Sequence, residues 1–109
     1  MATLSYKRVA YAGLDPAATA ASGGGDIMPM NDRGFLVVKN GGGSAVTVTI
    51  AVPGKNKFGS NNPALTVSVP ASAERYIGPM VADLHDPAVG GIAITYSAVT
   101  SVTVAAVAL

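Results

Sequence analysis

Apolar and small polar residues alternate with a period of two along much of the chain. From Ala45 to Val52, Val46, Val48, Ile50 and Val52 fall on one side while Thr47, Thr49 and Ala51 fall on the other, the pattern of a strand with one face on a core. Leu65, Val67 and Val69 alternate with Thr66 and Ser68, and Ile92, Ile94 and Tyr96 alternate with Ala93, Thr95 and Ser97. Phe35-Leu36-Val37-Val38 is apolar on both sides, as in a central strand covered twice or one lying at a subunit contact. The last strand changes phase: Val102 and Val104 share a side, then Val107 and Leu109 fall on the other. Such a strand is apolar on both faces, bulged, or covered by another chain. Strands are predicted at Leu4–Val9, Asp26–Met30, Phe35–Lys39, Ala45–Val52, Leu65–Val69, Glu74–Ile77, Gly91–Ser97 and Ser101–Ala108.

Turn chemistry joins these segments. Asn40-Gly41-Gly42-Gly43-Ser44 tolerates positive φ and predicts an antiparallel hairpin between its two flanking strands. Pro16 to Ala21 is Ala-rich and is the one place a helical turn is expected. The fold class is therefore all-β, a jelly-roll-like antiparallel β-sandwich of about eight short strands, with a small closed β-barrel as the alternative. At 109 residues the chain makes one domain. Residues 1–25 form either an arm that reaches a neighbour or a mobile tail, with Tyr6 and Tyr11 favouring order and Gly23 to Gly25 permitting either.

Composition supports the strands and narrows the chemistry. Val, Ile and Thr, whose branched side chains suit a pleated sheet, fill a quarter of the chain. Half the residues are hydrophobic and 12% are charged, which excludes a disordered chain. A net charge of +1 lacks the basic stripe that phosphate neutralisation requires, so nucleic acid is not an expected partner. There is no Cys, hence no disulfide framework, thiolate nucleophile or Cys-ligated zinc. Lys7 and Arg8 are followed by a stretch interrupted by Tyr11, Asp15, Pro16 and Thr19, so no secretory signal is expected. The 23 uncharged residues from Pro87 to Leu109 carry Gly90-Gly91, three Thr and two Ser, and read as strands rather than a membrane span.

Candidate sites are few. Gly41-Gly42-Gly43-Ser44 lacks the Lys and the following helix of a phosphate loop. Asp83, His85 and Asp86 gather three possible metal ligands in four residues, but His85 is the only histidine and Asp86-Pro87 is turn chemistry. No Gly-x-Ser-x-Gly elbow exposes a hydroxyl, and six acidic residues define no cleft for paired carboxylates. No residue is thus assigned to catalysis, to a cofactor or to a metal. Two long loops remain for contacts, Pro53 to Pro63 and Gly78 to Gly91. In the first, Lys55 and Lys57 lie beside Phe58, which either meets an acidic partner or a nucleic acid strand, or folds back on the core edge. With the strands that lack a polar face, this makes Phe35, Val37, Lys55, Lys57, Phe58, Val107 and Leu109 the candidate interface residues.

The order of segments adds a resemblance. Asn31-Asp32-Arg33-Gly34-Phe35-Leu36-Val37-Val38-Lys39-Asn40-Gly41, then Ala45 to Ile50, Tyr76-Ile77-Gly78-Pro79 and finally Ile94 to Ala105 resemble the small head proteins of tailed bacteriophages, particularly those infecting actinobacteria. These lie outside the capsid as decoration or minor capsid subunits, and the similarity runs from about Asp26 onward. The resemblance implies a jelly-roll subunit of the virion, made in the host cytoplasm, that forms a homo-oligomer, a trimer, and binds the major capsid protein. It implies no catalytic residues, and no membrane or nucleic-acid partner is expected. The alternative function is a ligand- or carbohydrate-binding sandwich, as in a head-fibre or adhesin domain, although the chain has no Trp for a sugar platform. A small hydrolase depending on His85 is the most distant reading.

Overall fold

The alternating segments become strands: 46–50 and 92–96 each bury one face, whereas in 65–69 Val69 is buried, Val67 half-buried and Leu65 exposed. A computed structural model describes residues 2–15 and 18–109. Ten strands run in chain order as β1 (Ala2–Thr3), β2 (Tyr6–Arg8), β3 (Thr19–Ala20), β4 (Asp26–Met28), β5 (Gly34–Asn40), β6 (Val46–Ile50), β7 (Leu65–Val69), β8 (Ala73–Ile77), β9 (Ile92–Tyr96) and β10 (Val102–Ala108). One short 3-10 turn, Ala82–Leu84, interrupts the loop before β9. The strands form two five-stranded sheets: β1-β4-β9-β6-β7, and a second in which β10 sits between β5-β8 on one edge and both β2 and β3 on the other. The result is a β-sandwich and not a closed barrel. β1 runs parallel to β4 and β2 parallel to β10; every other ladder is antiparallel.

The core lies between the sheets. Met28, Val46, Val48, Ile50, Val69, Ile92 and Ile94 come from one, and Leu36, Val38, Val102, Val104 and Ala106 from the other. Burying each large side chain contributes about 1.5–3 kcal/mol relative to leaving it in water. Met80 and Leu84 turn inward from the loop between β8 and β9 and join this core. The backbone of Met80 is tied to Asn31 and Gly34 by bonds of 2.9 and 3.0 Å. Among the described residues no helix is long and apolar enough to cross a membrane.

Registers also sort the connections. Loops 9–15, 29–33, 51–64 and 78–91, with the C-terminus, lie at one end of the sandwich, and the turns 21–25, 41–45, 70–72 and 97–101 lie at the other. The long loops are therefore gathered together.

Two expectations are corrected. Phe35–Lys39 and Ala45–Val52 do not form a hairpin: β5 pairs with β10 and β8, whereas β6 pairs with β7 and β9 in the opposite sheet. The Gly-rich connection is an arch that crosses between sheets. None of Gly41, Gly42 and Gly43 has a positive φ. Close approach matters instead, since a Cβ at Gly41 would lie 3.2 Å from the Ser101 carbonyl and one at Gly42 3.3 Å from Asn40 Oδ1. Asn40, 2% exposed, anchors the arch: its Nδ2 donates to the Ser44 and Val69 carbonyls (2.7 and 3.1 Å) and its Oδ1 accepts from the Gly42 N–H (3.0 Å). Both edges of β5 are taken within its own sheet, by β10 and β8.

The Ala-rich Pro16–Ala21 segment is the second correction. Thr19 and Ala20 pair with Val104 and Thr103 as a strand, while Pro16 and Ala17 lie outside the described residues. Sheet pairing along β10 outweighs the helical preference of a piece too short to nucleate a helix alone. Within residues 1–25, β1, β2 and β3 all pair inside the chain's own sheets. The phase change in β10 involves no bulge, because its seven residues pair with β5 without interruption; the strand is covered on both faces.

Candidate docking face

The outward side of the β2/β3-β10-β5-β8 sheet follows from register alone. Val107 lies between Lys7 and Phe35, Ala105 beside Val37, which lies beside Tyr76, and Thr103 beside Lys39, which lies beside Glu74. Leu36, Val38, Val104 and Ala106 point the other way, into the core. A sheet face open to water is normally polar, yet this one carries Phe35, Val37, Ala105, Val107 and Tyr76. The chain covers part of it with its own segment 9–15. Leu14 packs on Val37, Ala105, Val107 and Phe35 as a second apolar cluster, and the Val9 N–H donates to the Ala108 carbonyl at 2.9 Å.

What remains is a groove of about 310 Å³ lined by Val9, Leu14, Phe35, Val37, Lys39, Glu74, Tyr76 and Val107. Val37 and Val107 form its floor at 5% exposure each, whereas Tyr76 is 65% exposed on its wall. Tyr76 stacks on Phe35 with ring centroids 5.8 Å apart and planes 28° apart. The same two rings border a second hollow, of about 280 Å³, which Pro79 and Leu109 also line. Leu109 is 64% exposed, and its N–H donates to the Arg33 carbonyl at 3.1 Å.

The structure therefore brings Phe35, Val37, Val107 and Leu109 of the candidate interface together around one ring pair. Val37 and Val107 are largely covered by the chain itself, and the exposed apolar surface belongs to Tyr76, Leu109 and Val9. Tyr76 is the member that sequence reading missed. Its position opposite Arg75 and Ile77 was legible, but not that Phe35 on the neighbouring strand would share its face.

Lys55, Lys57 and Phe58 lie apart from this face, on the loop between β6 and β7. Lys55 and Asn61 form an antiparallel bridge. Inside it the Asn56 side chain accepts from the N–H groups of Phe58 and Ser60 at 2.9 and 3.2 Å. At its base, Asn62 Nδ2 donates to the Pro53 carbonyl at 3.1 Å. Phe58 does not fold back on the core: it is 84% exposed, with the Lys57 ammonium 5.5 Å from its ring centre.

Asp83 and His85 are exposed on the 78–91 loop. Asp86 closes a turn there, its Oδ1 accepting from the Ala88 N–H at 2.9 Å and its backbone carbonyl from the N–H of Gly90 at the same distance. Among the described residues no three His, Asp or Glu side chains come together as metal ligands.

One buried acid was not singled out by the sequence. Asp26, 1% exposed, accepts from the Tyr96 hydroxyl at 2.8 Å through Oδ2, and its Oδ1 has no hydrogen-bond partner among the described residues. Burial, then the Asp26 bond and charge, push the Tyr96 hydroxyl well above the usual tyrosine range. Burial alone pushes Tyr6 up to about 12; its hydroxyl donates to the Pro29 carbonyl at 2.6 Å.

Comparison of the chain with protein-family models, with curated proteins and with solved structures finds no match.

Proposed function

We propose that the chain is a structural subunit of a phage head, a decoration or minor capsid protein that binds the outside of the major capsid protein lattice and packs against copies of itself, as a trimer. The observation that carries this reading is the outward face of the β10-β5-β8 sheet. It holds an apolar groove bordered by a stacked Phe35–Tyr76 pair where a solvated sheet would be polar. Buried aromatic anchors set in pockets dominate protein–protein contacts, and the mixed apolar and charged lining of this groove suits a protein surface.

Strand order supports the same reading. From β3 onward the two sheets run β3-β10-β5-β8 and β4-β9-β6-β7, and every connection except β6 to β7 crosses from one sheet to the other. We read this as the eight-strand jelly roll that recurs in viral capsid proteins. Such a subunit stabilises a shell by mass action, since binding the assembled lattice alone shifts equilibrium towards it.

The test is to add purified chain to heads produced without it by the phage that encodes it. The reading predicts saturable binding to expanded heads and a higher disruption temperature. Heads that neither bind the chain nor gain stability would overturn it. The exposed Tyr76 ring favours a second reading, a sugar-binding sandwich; a specific hit on a glycan array, lost in Tyr76→Ala, would replace the first.

A further inference from the structure

Phe58 and the groove are two unmet apolar features of the same molecule, on different sheets. The loop that carries Phe58 is ordered from within by the Lys55–Asn61 bridge and the Asn56 side chain. It holds an aromatic ring at its tip with almost no contact to its own chain. Ordering a tip costs conformational entropy, and a ring held ready in this way binds a pocket without incurring that cost again.

The groove offers a matching receptor. Its 310 Å³ is bounded by Phe35, Val37, Tyr76 and Val107, an apolar floor with an aromatic wall against which a third ring can pack offset or edge-on. Charge follows the same direction. Lys57 travels with the Phe58 ring, 5.5 Å from its centre. Glu74 stands on the groove rim, and its carboxylate makes no hydrogen bond or ion pair within the described chain, even with its cross-strand neighbour Lys39.

We propose that Phe58 of one copy seats in the groove of a second copy, against Phe35 and Tyr76, with Lys57 facing Glu74. The contact deepens the reading that the chain packs against fellow subunits, and rests on it. Donor loop and receptor groove are different surfaces, so the contact passed head to tail makes a ring where the rotation closes. The ring proposed has three members, and a dimer with both loops exchanged would overturn it. A three-membered ring has three times the 10.8 kDa mass of one chain.

Two measurements test it on the full chain. Sedimentation equilibrium should show a concentration-dependent trimer that Phe58→Ala weakens at least about tenfold in Kd. Lys57→Glu and Glu74→Lys should each weaken it about two- to fivefold at low salt, and the double reversal should restore it. The absence of native Cys permits a geometric check: Lys57→Cys mixed with Glu74→Cys under mild oxidant should give the mixed disulfide in excess of either homodisulfide. A wild-type chain that stays monomeric at 100 µM overturns the contact, as does an oligomer indifferent to Phe58→Ala or a crosslink at random ratio. Capsid binding is read separately, so loss of this contact with head binding intact removes the contact alone.

Discussion

Replacing Asn40 by Leu tests the arch that commits β5 and β6 to opposite sheets. The substitution keeps the branched shape and the number of heavy atoms but deletes three hydrogen bonds, two donated to the Ser44 and Val69 carbonyls and one accepted from the Gly42 N–H. Each such bond contributes about 1 kcal/mol net, and a buried group left without a partner costs about 1–3 kcal/mol. The Val69 bond is buried and the other two are partly buried, so the sum is about 3 kcal/mol. A domain of this size has about 5–15 kcal/mol in total, and the loss corresponds to a fall in Tm of about 10–15 °C. Urea unfolding followed by circular dichroism measures it directly, with the midpoint lowered and the slope unchanged. A loss below about 1 kcal/mol would refute the claim that this side chain holds the arch, and would shift the explanation to the glycines and the Gly41–Ser101 backbone bond.

Other predictions follow from neighbouring features. Tyr6 and Tyr96 both have folded-state values above the unfolded one, so the stability that they confer while neutral is complete below about pH 10 and is lost as pH rises, through about 12 for Tyr6. Denaturant melts from pH 8 to 11.5 should show falling stability, with a shallower fall in Tyr96→Phe; equal slopes would refute the assignment. At pH 8 the same variant should be less stable by about 1.5–3 kcal/mol, the range for a hydrogen bond to a charged group. A Cβ at Gly34 would clash with the Tyr6 ring, so Gly34→Ala should cost about 1–3 kcal/mol. Because the closest clash is with this ring, ahead of the Asn31 Cβ at 3.0 Å, adding Tyr6→Ala should cost less than it does alone, a coupling that a double-mutant cycle reads. Met80→Ala should cost about 2–5 kcal/mol through the cavity it leaves at the long-loop end, measurable in the same melts.

The strands were legible because a half-buried strand writes its burial into alternate positions. β7 spans Leu65–Val69 as expected, and β6 and β9 match their alternation to within two residues. Pairing was not legible. Asn40-Gly41-Gly42-Gly43-Ser44 has the composition of a tight turn, and composition does not say whether the chain returns to the same sheet or crosses to the other. β3 has two residues in an Ala-rich setting, and only its position beside β10 makes it a strand. The docking face was partly visible, since Phe35, Val37, Val107 and Leu109 broke the polar alternation. That Leu14 would cover Val37 and Val107, and that Tyr76 would become the exposed ring, depends on contacts between residues far apart in sequence. Asp26 gave no signal, because nothing around a single acid next to Gly25 indicates that it lies beneath Tyr96.

The proposal that this chain is a head subunit is tested most directly by electron cryomicroscopy of the particle proposed to carry it. The account predicts β-sandwich density on the outside of the shell, in threes, with the β10-β5-β8 face covered by neighbouring protein. A head without that density, or a bound subunit whose Phe35–Tyr76 face is turned to solvent, would contradict it.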